Sequence, residues 1–315
     1  MLSQLTSKTS IAIILTILCL LCVGTFLGAE DGVVTTVTLQ EPKLTESSGL
    51  AFSHRDPDCV WTHNDSGDSA RLFCFNHKTG EQTGSCVLKD AKAIDWEALS
   101  LIAPRSPDAA PTASTDAKTA AQPELIVADC GDNHGRRSNV TLYRFAEPDP
   151  HADTKLSSKE WSAIAVTLEG GAVNCEAIWC EPATNQVILL AKTVTPFAGV
   201  YGVSLDPLDA VRSPATTGQE EPQTVVAKRL ATLPVPAATG ADRDQASGEI
   251  IVVNYWQTFR FPQQPGDDLL TQISRTPKST KLPKWRQVEA VAWDRASQPW
   301  ITTEGVPAQL GKLRN

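Results

Sequence analysis

The sequence has 315 residues, of which 41 % are hydrophobic, and its formal net charge is −8. A chain of this length can bury a sizeable core in one or two domains. No stripe of Lys and Arg runs along it, so nucleic-acid binding is not expected, and an acidic chain more naturally binds cations.

The first 29 residues are typical of a secretory signal peptide. A single Lys in MLSQLTSKTS precedes the unbroken apolar run IAIILTILCLLCV, and GTFLGA leads to a cleavage point near Ala29. The apolar run is shorter than the about 20 residues of a spanning helix, so a retained N-terminal anchor is the lesser alternative. Leu21 before Cys22 argues against a lipoprotein junction. We expect an exported monomer (periplasmic, cell-surface or extracellular) that touches the membrane only if this segment is retained.

The cysteine content agrees with an oxidising compartment. Cys19 and Cys22 fall within the signal, and the others are Cys59, Cys74, Cys86, Cys130, Cys175 and Cys180. Their number favours disulfides without fixing the pairing. A hairpin that turns at Ser66–Gly67 would bring Cys59 opposite Cys74, which predicts one pair. Free buried cysteines are the alternative.

Short apolar or alternating runs recur in a fixed order after residue 47, with polar turns between them. Each repeat opens on a segment that begins close to an acid or a hydroxyl: SGLAFS, EALSLI, EAIWCE, TGADRD and EAVAWD. The predicted second strands are CVWTHN, ELIVAD, VILLAK, IIVVNY and PWITTE. The third strands are RLFCFN, VTLYRF, GVYGVS, TFRFP and LGKLRN. Fourth strands follow in the first four repeats: GSCVLK, AIAVTL, VVAKRL and LLTQIS.

The fifth repeat has no fourth strand of its own, and a spare strand, VVTTVTLQ, precedes the first repeat. This pattern is typical of a β-propeller whose N-terminal strand completes the last blade and removes an exposed edge. We predict an all-β fold, a five-bladed β-propeller over residues 30–315. A six-bladed ring with an unrecognised repeat in 205–235 is the alternative. The Ala-, Pro- and Ser-rich stretch 103–123 reads as a low-complexity insertion in the second repeat.

Five polar residues share one position in the repeats. In a propeller blade the first strand lines the central channel, so this position lies at one channel mouth and brings together Ser48, Glu97, Glu176, Thr239 and Glu289. Like charges at close range raise one another's pKa or require a cation. A cage of oxygens suits Ca²⁺ better than Zn²⁺, so we predict an axial Ca²⁺. The alternative is a metal-free ring in which the Glu side chains accept from backbone N–H groups. Asp95 and Trp96 read as linker and packing residues.

Two turns at the same mouth, HNDSGD and GDNHGRR, carry further polar residues. Turn geometry explains Ser66 and Gly67, but it does not require the His, Asn and Asp before them. We therefore predict that Asp65 or His63 acts as a general base, that Arg136 or Arg137 holds an anion, and that the metal is the electrophile. The alternative is a non-catalytic module for a small-molecule or surface ligand.

Two resemblances follow from these motifs. SGLAFS…VWTHNDSGDSARLFCFN…DWEALSL…LIVADCGDNHGRR…LYRF resembles a group of exported bacterial propeller proteins with HNDSG, DWE and GDN motifs, which implies the architecture. The ring order also resembles that of the calcium-dependent apyrases, five-bladed propellers that hydrolyse nucleoside di- and triphosphates around a Ser–Glu–Glu–Ser–Glu calcium ring. Here Thr239 replaces the second Ser, and the family's nucleotide-contacting basic residues are not recognisable. The resemblance implies a hydrolase of phosphoanhydrides or esters.

Overall fold

A computed structural model describes residues 32–104, 122–211 and 224–315. The predicted signal peptide and almost all of the predicted insertion lie outside this part. The strands are β1 (Val33–Thr38), β2 (Ser47–Phe52), β3 (Cys59–Asn64), β4 (Arg71–Asn76), β5 (Gln82–Leu88), β6 (Trp96–Ile102), β7 (Glu124–Asp129), β8 (Val140–Ala146), β9 (Asp153–Leu156), β10 (Trp161–Leu168), β11 (Cys175–Glu181), β12 (Gln186–Ala191), β13 (Ala198–Ser204), β14 (Thr224–Leu233), β15 (Gly240–Arg243), β16 (Ile250–Val253), β17 (Gln257–Phe261), β18 (Lys278–Lys281), β19 (Val288–Trp293), β20 (Pro299–Thr303) and β21 (Gln309–Leu313). Two short helices are α1 (Asp206–Val211) and α2 (Leu269–Ser274).

These strands form antiparallel meanders in chain order. The sheet orders are β2-β3-β4-β5-β9, then β6-β7-β8-β10 joined to β14-β13-β12-β11, then β15-β16-β17-β18, then β19-β20-β21-β1. The eight-stranded sheet arises because β10 and β14 pair in parallel at the outer edges of two meanders. The all-β, propeller-like fold predicted from the repeats is confirmed.

The first strands of the meanders contact one another in a closed circle. β2 contacts β6, β6 contacts β11, β11 contacts β15, β15 contacts β19, and β19 returns to β2. All residues of β2 and β19 are buried, which is why these strands are almost continuously small or apolar. The hydrophobic core lies between neighbouring meanders, as where Trp61 of β3 packs in one cluster with Trp96 of β6 and Tyr143 of β8.

The N-terminal strand closes the structure. β1 pairs antiparallel with β21, with Val37 opposite Leu310, and becomes the outer strand of the sheet that begins at β19. This is the arrangement predicted from the spare strand. It pairs the edge that β21 would otherwise expose.

One predicted strand is a helix. LLTQIS forms α2, and the fourth strand of that sheet is β18, a few residues later. The Asp268 carboxylate accepts from the Thr271 backbone N–H, which caps the helix, and α2 buries Gln272 and Ile273. The N-cap signal therefore outweighs the apolar run that suggested a strand.

The predicted disulfide is not formed. All six cysteines of the described residues are free thiols. The hairpin register places Cys59 opposite Asn76 and Cys74 opposite Trp61, so the two cysteines are offset by two residues and are not opposite each other. Among the described residues, no helix is long and apolar enough to cross a membrane.

Candidate functional site

β-Bulges place four of the five predicted ring residues. The ladder between first and second strands skips one residue in β2, β6, β11 and β19, and the skipped residues are Ser48, Glu97, Glu176 and Glu289. A bulge leaves the extra residue unpaired and changes the direction of its side chain, and such bulges often lie beside active sites. The fifth residue, Thr239, immediately precedes β15, where the ladder is regular. All five are buried.

The hydroxyl members of this set bind protein oxygens. Ser48 Oγ lies 3.1 Å from the backbone oxygen of Glu97 and 3.2 Å from its Oε2. Thr239 Oγ1 donates to the backbone oxygen of Val288 over 2.8 Å. Ser48 therefore orients the Glu97 carboxylate, whereas Thr239 ties its own strand to the next one.

Three carboxylates converge at the mouth of the circle of first strands. One oxygen from each of Asp65, Asp95 and Glu97 lies within 4.8 Å of the others. We call these three residues the carboxylate cluster. Asp65 follows β3, and Asp95 and Glu97 flank Trp96 at the start of β6. The cluster thus combines a second-to-third-strand turn with a neighbouring first strand, and three such oxygens can hold a hard cation.

Gly131 makes room for this cluster. A Cβ added to Gly131 would lie 2.4 Å from Asp95 Oδ2 and 2.5 Å from Glu97 Oε1. Its backbone N–H also donates to the Asp95 backbone oxygen over 3.1 Å. Glycine in the GDN motif is therefore required by the close approach of two carboxylates.

Burial, with charge crowding added to it, raises the pKa values of these acids. Burial, together with the negative charge of Asp65, raises the pKa of Asp95 to about 6. Burial and the charge of Glu176 raise the pKa of Glu97 well above its ordinary value. Burial raises the pKa of Asp65, and it raises that of Glu289 to about 9, with Glu176 and Glu304 adding to the effect. A cation at this mouth would offset the mutual repulsion that adds to burial in raising these pKa values.

One ammonium group partly offsets the negative charge. Lys192, in the turn after β12, places Nζ 2.5 Å from Glu176 Oε2 and 2.6 Å from the Tyr255 hydroxyl. Burial opposes its protonation, but the Glu176 carboxylate raises the pKa of Lys192 above its ordinary value. The other oxygen of Glu176 accepts from Asn174 Nδ2 over 2.9 Å. Glu176 is thus already bonded on both oxygens, unlike the carboxylate cluster, whose acids face one another.

The two predicted anion-binding arginines differ in environment. Arg137 Nη1 donates to Asp129 Oδ1 over 2.6 Å and to the Gly131 backbone oxygen over 2.9 Å. Asp129 in turn accepts from the backbone N–H groups of Ile94 and Asp95, so Arg137 fixes the segment that carries Asp95. Arg136 is exposed. With Asp132 and Arg137 it lines a cavity of about 310 Å³ beside the GDN turn.

The GDN turn is held by Asp132. Its carboxylate accepts from the backbone N–H groups of Arg136 and Arg137 over 2.8 and 2.9 Å, and although burial opposes it, these bonds lower the pKa of Asp132. The Asp132 backbone N–H donates to Asn174, which also bonds Glu176. This chain of contacts connects the turn of one sheet to the first strand of the next.

His63, the alternative base, lies in the core. Its ring is fully buried, contacts Trp96 edge-on at 5.5 Å between centroids, and places Nδ1 2.9 Å from the Asn64 backbone oxygen. Burial lowers its pKa to about 4. A Cβ on Gly49 would lie 2.2 Å from His63 Nε2, so this glycine admits the ring. These contacts give His63 a packing position beneath the carboxylate cluster.

Sequence reasoning missed three members of the site. The sequence predicts a linker role for Asp95 and no role for Lys192 or Tyr255, although Lys192 and Tyr255 lie in turns that the repeat places at this mouth. The equivalence of these turns is a signal that could have identified Lys192 and Tyr255. Asp95 does not occupy the position that the five ring residues share in the repeats. Only its closeness to Asp65 in the structure identifies it as part of the site.

Comparisons with known proteins complete the description. No family model matches the sequence, and no curated protein matches it. Among solved structures the chain is similar to a luciferin-regenerating enzyme, with 10 % sequence identity and a TM-score of 0.44, over 89 % of this chain and 96 % of that one.

Proposed function

We propose that the chain binds Ca²⁺ at the carboxylate cluster and acts as a cation-dependent hydrolase of phosphoanhydrides or esters at that mouth. The observation that carries the proposal is the convergence of Asp65, Asp95 and Glu97 within 4.8 Å, in a space that only glycine at position 131 leaves open. Three carboxylate oxygens, with water to complete the shell, match the preference of Ca²⁺ for oxygen ligands in flexible geometry.

We further propose that the propeller-like fold has five blades. Its support is the closed circle of contacts β2–β6–β11–β15–β19, together with the completion of the last sheet by β1. A five-fold arrangement would put Glu176 and Glu289 on the same axis as the cluster, where neighbouring acids add to the burial that raises their pKa values. In this proposal Glu176 and Glu289 contribute negative charge near the ion, Lys192 partly neutralises that charge, and the carboxylate cluster binds the ion.

Each residue has a chemical role in the proposed reaction. The bound cation would polarise a phosphoryl or acyl oxygen of the substrate. Arg136, exposed at the neighbouring cavity, would hold the anionic part of the substrate. The cluster carboxylates lie at the mouth, whereas His63 is fully buried in the core, so an oxygen of Asp65 or Asp95 that does not bind the cation is better placed than His63 to accept a proton from water. Lys192 and the Tyr255 hydroxyl form a hydrogen-bonded pair across the mouth that can donate to a leaving group.

A second candidate is a binding module in which the cation only rigidifies the ring. The observation that favours it is the Arg137 side chain, which is occupied by Asp129 and the Gly131 backbone and so holds the fold. Export of the chain, inferred from its first 29 residues, is compatible with either candidate, because extracellular Ca²⁺ can occupy modules of millimolar affinity.

A thermal-shift assay with Ca²⁺, Mg²⁺ and EDTA tests the cation site. Ca²⁺ should raise the melting temperature of the wild type, because a ligand that binds only the folded state stabilises it by mass action. Asp95→Asn and Glu97→Gln should lose this shift, whereas the exposed control Glu169→Gln should keep it. No shift in the wild type, or an equal shift in all variants, would refute the site.

Turnover of nucleoside triphosphates and aryl esters, lost in Asp95→Asn, would then separate the hydrolase from the binding module.

A further inference from the structure

A second cluster of metal-ligating side chains lies at the other end of the first sheet. Asp56 is in the connection from β2 to β3, Cys59 begins β3, and His151 is in the connection from β8 to β9. One ligand atom from each lies within 4.8 Å of the others. Ser48 is at the start of β2 and Asp56 follows its end, so this cluster and the carboxylate cluster occupy opposite faces.

The imidazole of His151 connects the three groups. Its Nε2 lies 2.7 Å from Asp56 Oδ2 and 3.9 Å from Cys59 Sγ. Its backbone N–H donates to Asp149 Oδ1 over 2.9 Å, and the Asp58 backbone N–H donates to Asp56 Oδ1 over 2.9 Å, so both loops are held in place. Nε2 of His151 therefore faces the carboxylate of Asp56 and the sulfur of Cys59 at once.

A second thiol lies beside the first. Cys74 of β4 is buried on the strand next to Cys59, and its thiol lies close enough to interact with that of Cys59. Cys59 is buried too, while the His151 side chain is largely exposed. The cluster thus has buried sulfur on its inner side and an imidazole open to solvent, through which an ion can enter.

We propose that Asp56, Cys59 and His151, with Cys74 or water as the fourth ligand, form a site for a borderline-soft divalent metal such as Zn²⁺. Sulfur, imidazole nitrogen and one carboxylate are the ligands that zinc takes in tetrahedral sites. Zinc bonds of about 2.3 Å to sulfur and about 2.0 Å to nitrogen separate those two atoms by about 3.5 Å, close to the distance found here. The Asp56–His151 hydrogen bond would open by roughly 0.6 Å as the metal enters.

The donor set distinguishes this site from the carboxylate cluster. The latter offers only carboxylate oxygens and suits a hard cation, whereas the thiol of Cys59 selects against Ca²⁺ and Mg²⁺. Since thiolate is the ligating form, binding releases protons and strengthens as the pH rises. The site does not depend on any activity at the other face.

Cobalt substitution tests the proposal with a readout specific for sulfur. The reduced full-length protein, in excess Ca²⁺, is titrated with Co²⁺. We expect one equivalent to produce an intense thiolate-to-cobalt band in the near ultraviolet and tetrahedral bands in the visible, all bleached by Zn²⁺. Cys59→Ser and His151→Gln should remove the bands and weaken Zn²⁺ binding at least about tenfold. His134→Gln and Cys180→Ser, which change a histidine and a cysteine elsewhere, should retain both.

Three results would overturn the site. One is a weak octahedral cobalt spectrum without the thiolate band, and another is a band that survives in Cys59→Ser or in His151→Gln. The third is isolation of the protein with Cys59 in a disulfide, since the sulfur is then no longer a ligand. His151 is exposed, so we expect His151→Gln to fold and to decide the question even if Cys59→Ser is unstable.

Discussion

Lys192 and Glu176 form a buried ion pair, with 2.5 Å between Nζ and Oε2, at the mouth where the carboxylates converge. The side chains are 22 % and 4 % exposed. The ammonium group lowers the pKa values of Glu97, Glu176 and Glu289 against the burial that raises them. The Lys192 ammonium group thus partly neutralises the carboxylates, as a bound cation would.

Lys192→Met should make the folded state more dependent on Ca²⁺. Without its partner, Glu176 is buried unpaired or protonated, and the free energy of unfolding in EDTA should fall by up to about 3 kcal/mol. The Ca²⁺-induced rise in melting temperature should grow, since the ion then meets more negative charge. Urea unfolding in EDTA and a Ca²⁺ thermal shift measure both effects. Lys228→Met, which removes an exposed partner of Glu169, is the matched control, and an equal response in both variants would contradict the role of Lys192.

Gly131→Ala should abolish cation binding. The new methyl group would occupy the space 2.4 to 2.5 Å from oxygens of Asp95 and Glu97, so at least one carboxylate must move. Overpacking of this kind typically costs about 1–3 kcal/mol. Gly135→Ala is the control: no atom lies near its Cβ, and its positive φ of 60° makes it somewhat unstable without touching the cluster. Isothermal titration with Ca²⁺ should detect binding in the second variant and not in the first.

Stability in EDTA should fall as the pH rises from about 4 to about 9. Asp95 has a folded pKa of about 6 against 3.8 ordinarily, and Glu289 about 9 against 4.5. A group with a raised folded pKa contributes its full stabilisation below the unfolded pKa and loses it as the pH passes the folded pKa. Ca²⁺ binds the deprotonated acids and should flatten this slope. Melting curves across this range, with Glu289→Gln to remove the upper part of the slope, provide the measurement. A melting temperature in EDTA that climbs with pH would contradict the crowded-carboxylate interpretation.

Arg137 and Arg136 should differ in their effects on folding. Arg137→Met leaves Asp129, 1 % exposed, without its charged partner and should lower the free energy of unfolding by about 3 kcal/mol or more. Arg136→Met should leave stability nearly unchanged, because this side chain lies at the surface. Denaturant unfolding of both proteins separates a structural arginine from a substrate-binding one. A loss of stability in Arg136→Met, or none in Arg137→Met, would reverse the assignment.

The repeat pattern predicted the positions of the strands and the residues that share a register. The second strand CVWTHN and the third strand RLFCFN coincide with β3 and β4. Four of the predicted ring residues also lie at β-bulges: Ser48, Glu97, Glu176 and Glu289. These bulges could not be predicted, because no residue type is specific to them. The closeness of Asp65 to Asp95 was not predictable, because it depends on how far one sheet is rotated against its neighbour. The prediction of a Cys59–Cys74 disulfide was wrong for a related reason. Counting residues from the turn does not reveal the two-residue offset in the pairing of β3 with β4.

The parallel pairings at the outer edges make the circle of sheets mechanically uneven. The segment between β8 and β10 sends β9 to the edge of β5, and β10 itself pairs with β14. Three successive meanders are therefore joined at their rims as well as at their inner strands, and an outward movement of any one of them would break a parallel pairing. The meander β15–β18 and the sheet that runs from β19 to β1 have no such rim partner among the described strands. We expect the circle to open more readily in these two sectors. Because Tyr255 lies in the β16–β17 turn and is hydrogen-bonded to Lys192, a movement of that meander would reach the ammonium group.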